Sequence, residues 1–310
     1  MLAPPASRHV ARTFRCFGAD CAVHVTSAGP VRDVAGAARA VADRLVGLHG
    51  RFSRFDRDSE LSLLNRDPRH AVRASAEMVR FVRAALAMAH RTGGLVDPTL
   101  GRALQRAGYA SDLDGSLPLS LALRLAPARR TARPDPEARW RTVAADADTS
   151  VVTRPPGVEL DTGGFKGLFA DWAAAELRGH QSFAIHCGGD LLLGGDGSRF
   201  REVRVDSPFD GRVLHTFPLP AGGVATTGIG RRSWLDGRGA PAHHVLDPST
   251  GRPAFTGLVQ VTALAPTALV AEALAKAALL SGPDGAERWL AHGGVVVADD
   301  NSHRVVAPCA

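Results

Sequence analysis

Apolar and polar positions alternate through CAVHVTSAG, the period of a half-buried strand. The spacing then changes. In VRDVAGAARAVADRLVGLHGRF the apolar residues recur every three or four positions, which predicts an amphipathic helix. RFDRDSELSLLNR predicts a loop feeding a short helix, with Asp58 or Ser59 as its N-cap. A second long helix is predicted from Ser75 to Thr92, stopped by Gly93-Gly94. The Pro- and Arg-rich stretch GSLPLSLALRLAPARRTARPDPEARW predicts a surface connection. From Thr149 onward short β-like runs dominate: SVVTR, VELD, FAIHC, DLLLGG, EVRVD, RVLHTFPL, GVATTG, HHVL, LVQVTAL and GVVVADD. Helices are predicted among them only at 165–178, 267–281 and 285–292. Adjacent short strands with few crossover helices favour antiparallel pairing and an α+β fold. No G-x-G-x-x-G follows a strand, so a doubly wound dinucleotide fold is a poor match.

Composition narrows the class. At 310 residues the chain can bury a substantial core, and 45% hydrophobic content is ordinary for a soluble globular protein. The net charge of +6 permits an anionic partner, but the arginines are scattered and aromatics make up only 5%, which argues against nucleic acid. No apolar run approaches the length of a membrane span. The N-terminus MLAPPASRHVARTFRCFG lacks a signal-like apolar stretch, so a cytoplasmic protein is expected. Cys16, Cys21, Cys187 and Cys309 form no CxxC pair and fit a reducing compartment.

Of 37 basic Lys and Arg residues only two are lysines, Lys166 and Lys276. Lys166 sits in LDTGGFKGLFAD, where Asp161, Gly163, Gly164 and Gly167 surround the entry to a helix. Helix N-termini offer free N–H groups, and glycine lets a phosphate approach the backbone. The same segment reads equally as a tight strand-to-helix turn with a solvated lysine. It is not a Walker A loop, because Gly rather than Ser or Thr follows Lys166. Lys276 lies four residues after Glu272 in VAEALAKAAL, on one helix face. AHHVLDPSTGRP places His243 and His244 before an Asp-Pro turn, where a histidine is either a base or phosphate contact, or a surface pair at a hairpin. GLVDPTLG offers Asp97, IHCGGDLLLGG places Gly188, Gly189 and Asp190 between two strands, and GVATTGIGRR offers Thr226 and Thr227.

Taken in order, FRCFGADCAVHV, FSRFDRDSELSLLN, GLVDPTLG, LDTGGFKGLFAD, IHCGGDLLLGG, VATTG, HHVLDPSTGRP and VAEALAKAALLSG resemble the FAD:protein FMN transferase (ApbE-type) family. The resemblance covers most of the chain beyond residue 13 as one domain and is weakest at 110–148. It implies two related lobes of mainly antiparallel sheet with flanking helices and a nucleotide cleft between them. It implies FAD as substrate, a protein Ser or Thr as acceptor, FMN transferred and AMP released. By the same resemblance Lys166 matches a lysine near the diphosphate. Ser59, Glu60, Leu61, Asp97 and Thr99 match flavin or adenine contacts, and Asp161 and Gly164 belong to the loop before the lysine. Gly188, Gly189 and Asp190 match a glycine turn beside the nucleotide, Thr226 and Thr227 a polar pair, and His244 the proposed catalytic histidine.

The metal site departs from the pattern. The family holds Mg²⁺ with a carbonyl of the Gly-Gly-Lys loop, an Asp, and a Thr four residues later. Here those side-chain positions read Glu272 and Lys276, and the GGFKG loop is one residue shorter. An ammonium has no lone pair for a cation. Three arrangements follow. Lys276 pairs with Glu272 and neutralises the diphosphate itself; or the metal is lost and FAD is carried without transfer; or Lys276 turns outward and Glu272, with the Gly164 carbonyl, still holds Mg²⁺. A non-catalytic FAD carrier or sensor and an FAD pyrophosphatase are the alternatives to transfer.

Overall fold

The computed structural model describes residues 7–28, 33–109, 115–195 and 200–309. The first six residues of the N-terminal segment, and 110–114 of the weakly matching segment 110–148, are outside the described residues.

Eight strands form one sheet in chain order: β1 (Ser7–Cys16), β2 (Ala19–Ala28), β3 (Ser182–Cys187), β4 (Asp190–Gly195), β5 (Gly222–Gly228), β6 (Leu258–Ala265), β7 (Gly294–Ala298) and β8 (His303–Val306). Every neighbouring pair is antiparallel, as the run of short strands predicts. In β2 the buried Cys21, Val23 and Val25 alternate with half-buried Ala22 and His24, so its period of two follows from having one face on the core. β1 has no counterpart among the sequence-predicted strands. Arg8, Arg12 and Arg15 interrupt its apolar alternation, and charge of this kind suits an edge strand that must not pair further.

Helices α1 (Val34–Phe52), α2 (Glu60–Arg66), α3 (Ala76–Arg91), α4 (Gly101–Arg106), α5 (Leu119–Arg124), α6 (Lys166–Ala173) and α7 (Ala268–Gly285) follow in order. α1, α6 and α7 pack side by side on the sheet: α1 against β1 and β2, α6 against β3 and β4, α7 against β5 and β6. α7 is mostly buried and rich in alanine, which holds a helix at little entropic cost and lets it lie close to the strands. It breaks at Gly282, whose φ of +70° no ordinary helix accommodates. The helix predicted over 285–292 is only a single 3₁₀ turn, Glu287–Trp289. No described helix is long and apolar enough to cross a membrane.

The stretch from Gly115 to Trp140 is mostly exposed, with Ala122, Ala132, Asp135 and Trp140 buried. Its backbone is also tied to the second half of the chain. Arg130 N–H donates to the Phe255 carbonyl at 2.8 Å and Ala132 N–H to the Leu280 carbonyl at 3.0 Å. VELD forms no strand, because Pro155 and Pro156 before it remove sheet donors. Its Leu160 is held instead by both ends of the Asn65 amide, at 2.9 and 2.8 Å.

Candidate functional site

Helices α6 and α7 each cap the head of the other. Glu272 on α7 accepts the Gly167 N–H at 2.9 Å, while the two carboxylate oxygens of Asp171 on α6 accept from Ala268 and Leu269 at 3.0 Å each. These bonds satisfy N–H groups that a helix start leaves without partners. Gly167 is required for the approach, since a Cβ there would lie 2.5 Å from the Ala268 backbone. The Gly167 N–H read from the sequence as an opening for phosphate is therefore already taken. Asp171 was not singled out in the sequence, because its partners lie almost a hundred residues away.

The reciprocal caps aim the two lysines at one region. Nζ of Lys166 lies 2.8 Å from Asp190 and donates to the Cys187 carbonyl at 3.3 Å. Gly188 and Gly189 make the β3–β4 turn with φ of +60° and +111°, and the Gly189 carbonyl accepts the Thr226 N–H at 3.2 Å. Thr226 also shares a 2.8 Å hydroxyl bond with Thr262. Burial works against the Lys166 charge, but Asp190 and Glu272 outweigh it, and its pKa rises. Nζ of Lys276 packs directly over Gly164, where a Cβ would collide with it. Burial lowers the pKa of Lys276, against the pull of Glu272, Asp161 and Asp190. The predicted Glu272–Lys276 pair does not form: among the described residues no ion pair joins them, and Glu272 is turned to the head of α6. Burial first, and then Asp190, push the Glu272 carboxyl up to about 7, against both lysines and the Gly167 N–H.

A cleft opens beside these groups, lined by Asp97, Asp161, Gly164, His244 and Lys276 together with Arg232, and by an apolar set of Leu95, Val96, Leu100, Leu104, Tyr109, Val245 and Leu246. Asp97 uses one carboxylate oxygen for Thr99, through its N–H at 2.7 Å and its hydroxyl at 2.6 Å. Its other oxygen is buried without a partner, and burial raises the pKa. Asp161 bonds the Gly163 N–H at 2.9 Å and faces Arg54 at 3.3 Å. His244 lies between strands Pro241–His243 and Leu246–Asp247, its Nδ1 buried and unpartnered. Burial, and then Arg232, Lys276, His243 and Lys166, hold this imidazole well below the ordinary histidine range.

Other sequence-predicted residues lie elsewhere. Ser59 caps α2, accepting the Ser62 N–H at 3.1 Å and donating to the Ser53 carbonyl at 2.6 Å. Glu60 accepts the Ser75 N–H and hydroxyl, both at 2.8 Å. Leu61 is fully buried, and Thr227 is buried within β5. Sequence reading passed over Arg54, Tyr109 and Arg232. The Arg54 guanidinium sits 4.1 Å over Phe55 and 4.5 Å over Tyr109, and Tyr109 stacks on Trp234 at 5.5 Å. Arg232 donates to the Phe17 carbonyl at 2.8 Å. The available signal was Tyr109, the one tyrosine of the chain.

The ApbE family model matches residues 17–298. The chain belongs to the ApbE family. A relative named FAD:protein FMN transferase from Rhodobacter capsulatus is 29% identical over 223 residues, 69% of this chain and 41% of that protein. One of the same name from Treponema pallidum is 29% identical over 292 residues, 89% of this chain and 79% of its own length. The chain thus spans about two fifths of the length of the first curated relatives it matches. Among solved structures, the ApbE protein of Thermotoga maritima superposes with a TM-score of 0.78 at 24% identity, over 96% of this chain and 97% of that one. The flavin transferase ApbE of Vibrio cholerae gives 0.73 at 18% identity, over 98% and 99%. At these identities the likeness establishes the fold, a mixed antiparallel sheet and helix architecture.

Proposed function

We propose that this protein binds FAD in the cleft and transfers its FMN moiety to a Ser or Thr hydroxyl of an acceptor protein. The observation that carries the reading is one cleft lined by both His244, whose buried Nδ1 has no partner, and Lys276, together with an apolar wall. The family membership and the names of the relatives support it. A flat ring suits the wall of Leu95, Val96, Leu100 and Tyr109, and the unpaired Asp97 oxygen can accept an N–H from a bound heterocycle. An eight-stranded sheet whose strands are drawn from Ser7 to Val306 supports treating the chain as one such domain.

In this reading the acceptor oxygen bonds to the FMN-side phosphorus and the bridging P–O bond of the diphosphate breaks. AMP leaves with the electron pair, and the hydroxyl proton passes to His244. Positioning and neutralisation of charge supply most of the rate in such transfers. Lys276 lines the cleft, and Lys166 is held by Asp190. The free thiols Cys21 and Cys187, register partners on β2 and β3, support a reducing, cytoplasmic compartment.

The residues present do not fit a divalent ion. The ammonium of Lys276 occupies the place over Gly164, and one oxygen of each nearby carboxylate is engaged: Glu272 Oε2 by the Gly167 N–H, Asp190 Oδ2 by the Lys166 ammonium and Asp161 Oδ2 by the Gly163 N–H. No group of three or more His, Cys, Asp or Glu side chains among the described residues is placed to hold a metal.

The test is incubation of the purified protein with FAD and candidate acceptor proteins. A flavin-fluorescent acceptor band with stoichiometric AMP is expected. AMP and FMN without labelling would make it a pyrophosphatase, and intact bound FAD a carrier.

A further inference from the structure

The position of Lys276 is unusual for a surface lysine. Its ammonium is packed over Gly164 at the head of α6 and lines the cleft, yet it forms neither an ion pair nor a hydrogen bond among the described residues. Its carboxylate neighbours each turn an oxygen to another group: Glu272 to the Gly167 N–H, Asp161 to Arg54, Asp190 to Lys166. A lysine ammonium carries three donors and no acceptor, so one held at the cleft wall without a protein partner has all three donors open to an incoming anion. The same donors exclude a cation from that place, since an ammonium offers no ligand and repels a positive ion.

We infer that Lys276 is the built-in cation of this cleft: its ammonium meets the diphosphate of FAD directly, and the site engages FAD without a divalent metal. The inference rests on the FAD reading above. Gly164 is part of the device, because only a residue without a side chain leaves the ammonium its seat. Glu272 is the other part. Its carboxylate oxygen caps the Gly167 N–H and leaves the ammonium's donors unoccupied. The incoming phosphate therefore finds a cation whose hydrogen bonds are unspent, and no ion has to be recruited.

FAD binding followed by flavin fluorescence, in EDTA and in excess Mg²⁺, tests this on the wild-type chain. Equal affinity in the two buffers is expected. Lys276→Met keeps the length of the side chain and removes the charge. It should weaken binding in EDTA by about tenfold or more, the loss of a charge-assisted hydrogen bond to phosphate. Mn²⁺ added to the protein alone should leave the free-ion EPR signal undiminished. Binding that requires Mg²⁺, stoichiometric uptake of Mn²⁺, or undiminished FAD binding by a folded Lys276→Met variant would each overturn the inference. If Lys276→Met does not fold, the two-buffer comparison on wild type decides alone. Absence of FAD binding in both buffers would remove the FAD reading itself, and this inference with it. Mg²⁺-dependent binding would remove only the inference.

Discussion

Nζ of Lys166 and a carboxylate oxygen of Asp190 stand 2.8 Å apart, joining the head of α6 to the glycine turn between β3 and β4. Both side chains are nearly buried, at 13% and 3% exposure, so water screens the pair only weakly. Removing one member of a buried pair leaves the other charge uncompensated, at a cost of roughly 3–5 kcal/mol. Lys166→Met should therefore lower unfolding stability by about that amount in denaturant titrations. Adding Asp190→Asn should restore a large part of it. A double variant no more stable than Lys166→Met would show that the pair is not the source of the loss.

Glu272 supplies a pH signature. Its carboxyl is pushed from the ordinary 4.5 up to about 7, by burial first and then by Asp190. Between those values the folded protein holds a proton that the unfolded chain has released. The Glu272 contribution is thus full below about 4.5 and lost as pH rises through about 7. His243, held at about 3, and His244 act in the opposite direction as pH falls, so the wild-type profile alone mixes the two signs. Glu272→Gln keeps an oxygen for the Gly167 N–H and removes the titration. Melting temperatures of wild type and variant should converge at low pH, with the variant gaining relative stability as pH rises through 7. A constant difference across that range would refute the assignment.

Two glycines at the head of α6 should respond differently to alanine. At Gly167 the new Cβ meets the Ala268 backbone at 2.5 Å, which cannot yield without moving α7 from α6. Overpacking of this kind costs roughly 1–3 kcal/mol, and Gly167→Ala should show it as a lowered melting temperature. At Gly164 the obstacle is the far end of a flexible side chain, Nζ of Lys276. Gly164→Ala should melt near wild type while binding FAD more weakly, because the ammonium is displaced. Equal loss of stability in both variants would contradict this division.

The pattern of legibility follows the range of the interactions. Lys166, the Asp97-Pro98 turn and the Glu272–Lys276 spacing each announce themselves within a few residues, and the strand-rich second half predicts antiparallel pairing that the sheet confirms. The register of β2 against β3, more than 150 residues later, does not show in any local window. Nor does the commitment of Glu272, because helix spacing favours Lys276 as its partner while the tertiary fold presents the Gly167 N–H instead. Arg54 was hidden for a different reason. In an arginine-rich chain its identity carries no signal, and only the fold stacks it on Phe55 and Tyr109. The stretch before Trp140 looked solvent-bound from its prolines and arginines, yet Trp140 packs edge-on against His90 at 4.6 Å.

His244 joins electrostatics to chemistry. Burial lowers its pKa most, and Arg232, Lys276, His243 and Lys166 lower it further, so the imidazole stays neutral where an exposed histidine would already be half protonated. A neutral imidazole can accept a proton, which the proposed base must do. In the free protein its NMR shifts should stay constant as pH is carried through the ordinary histidine midpoint of about 6.5. His244→Gln should reduce the rate of transfer by about 10²–10⁴, the usual worth of general base catalysis, with a smaller effect on FAD affinity. A midpoint near 6.5 would place the ring in ordinary solvent. Transfer at wild-type rate in the glutamine variant would move the proton acceptor to another group in the cleft.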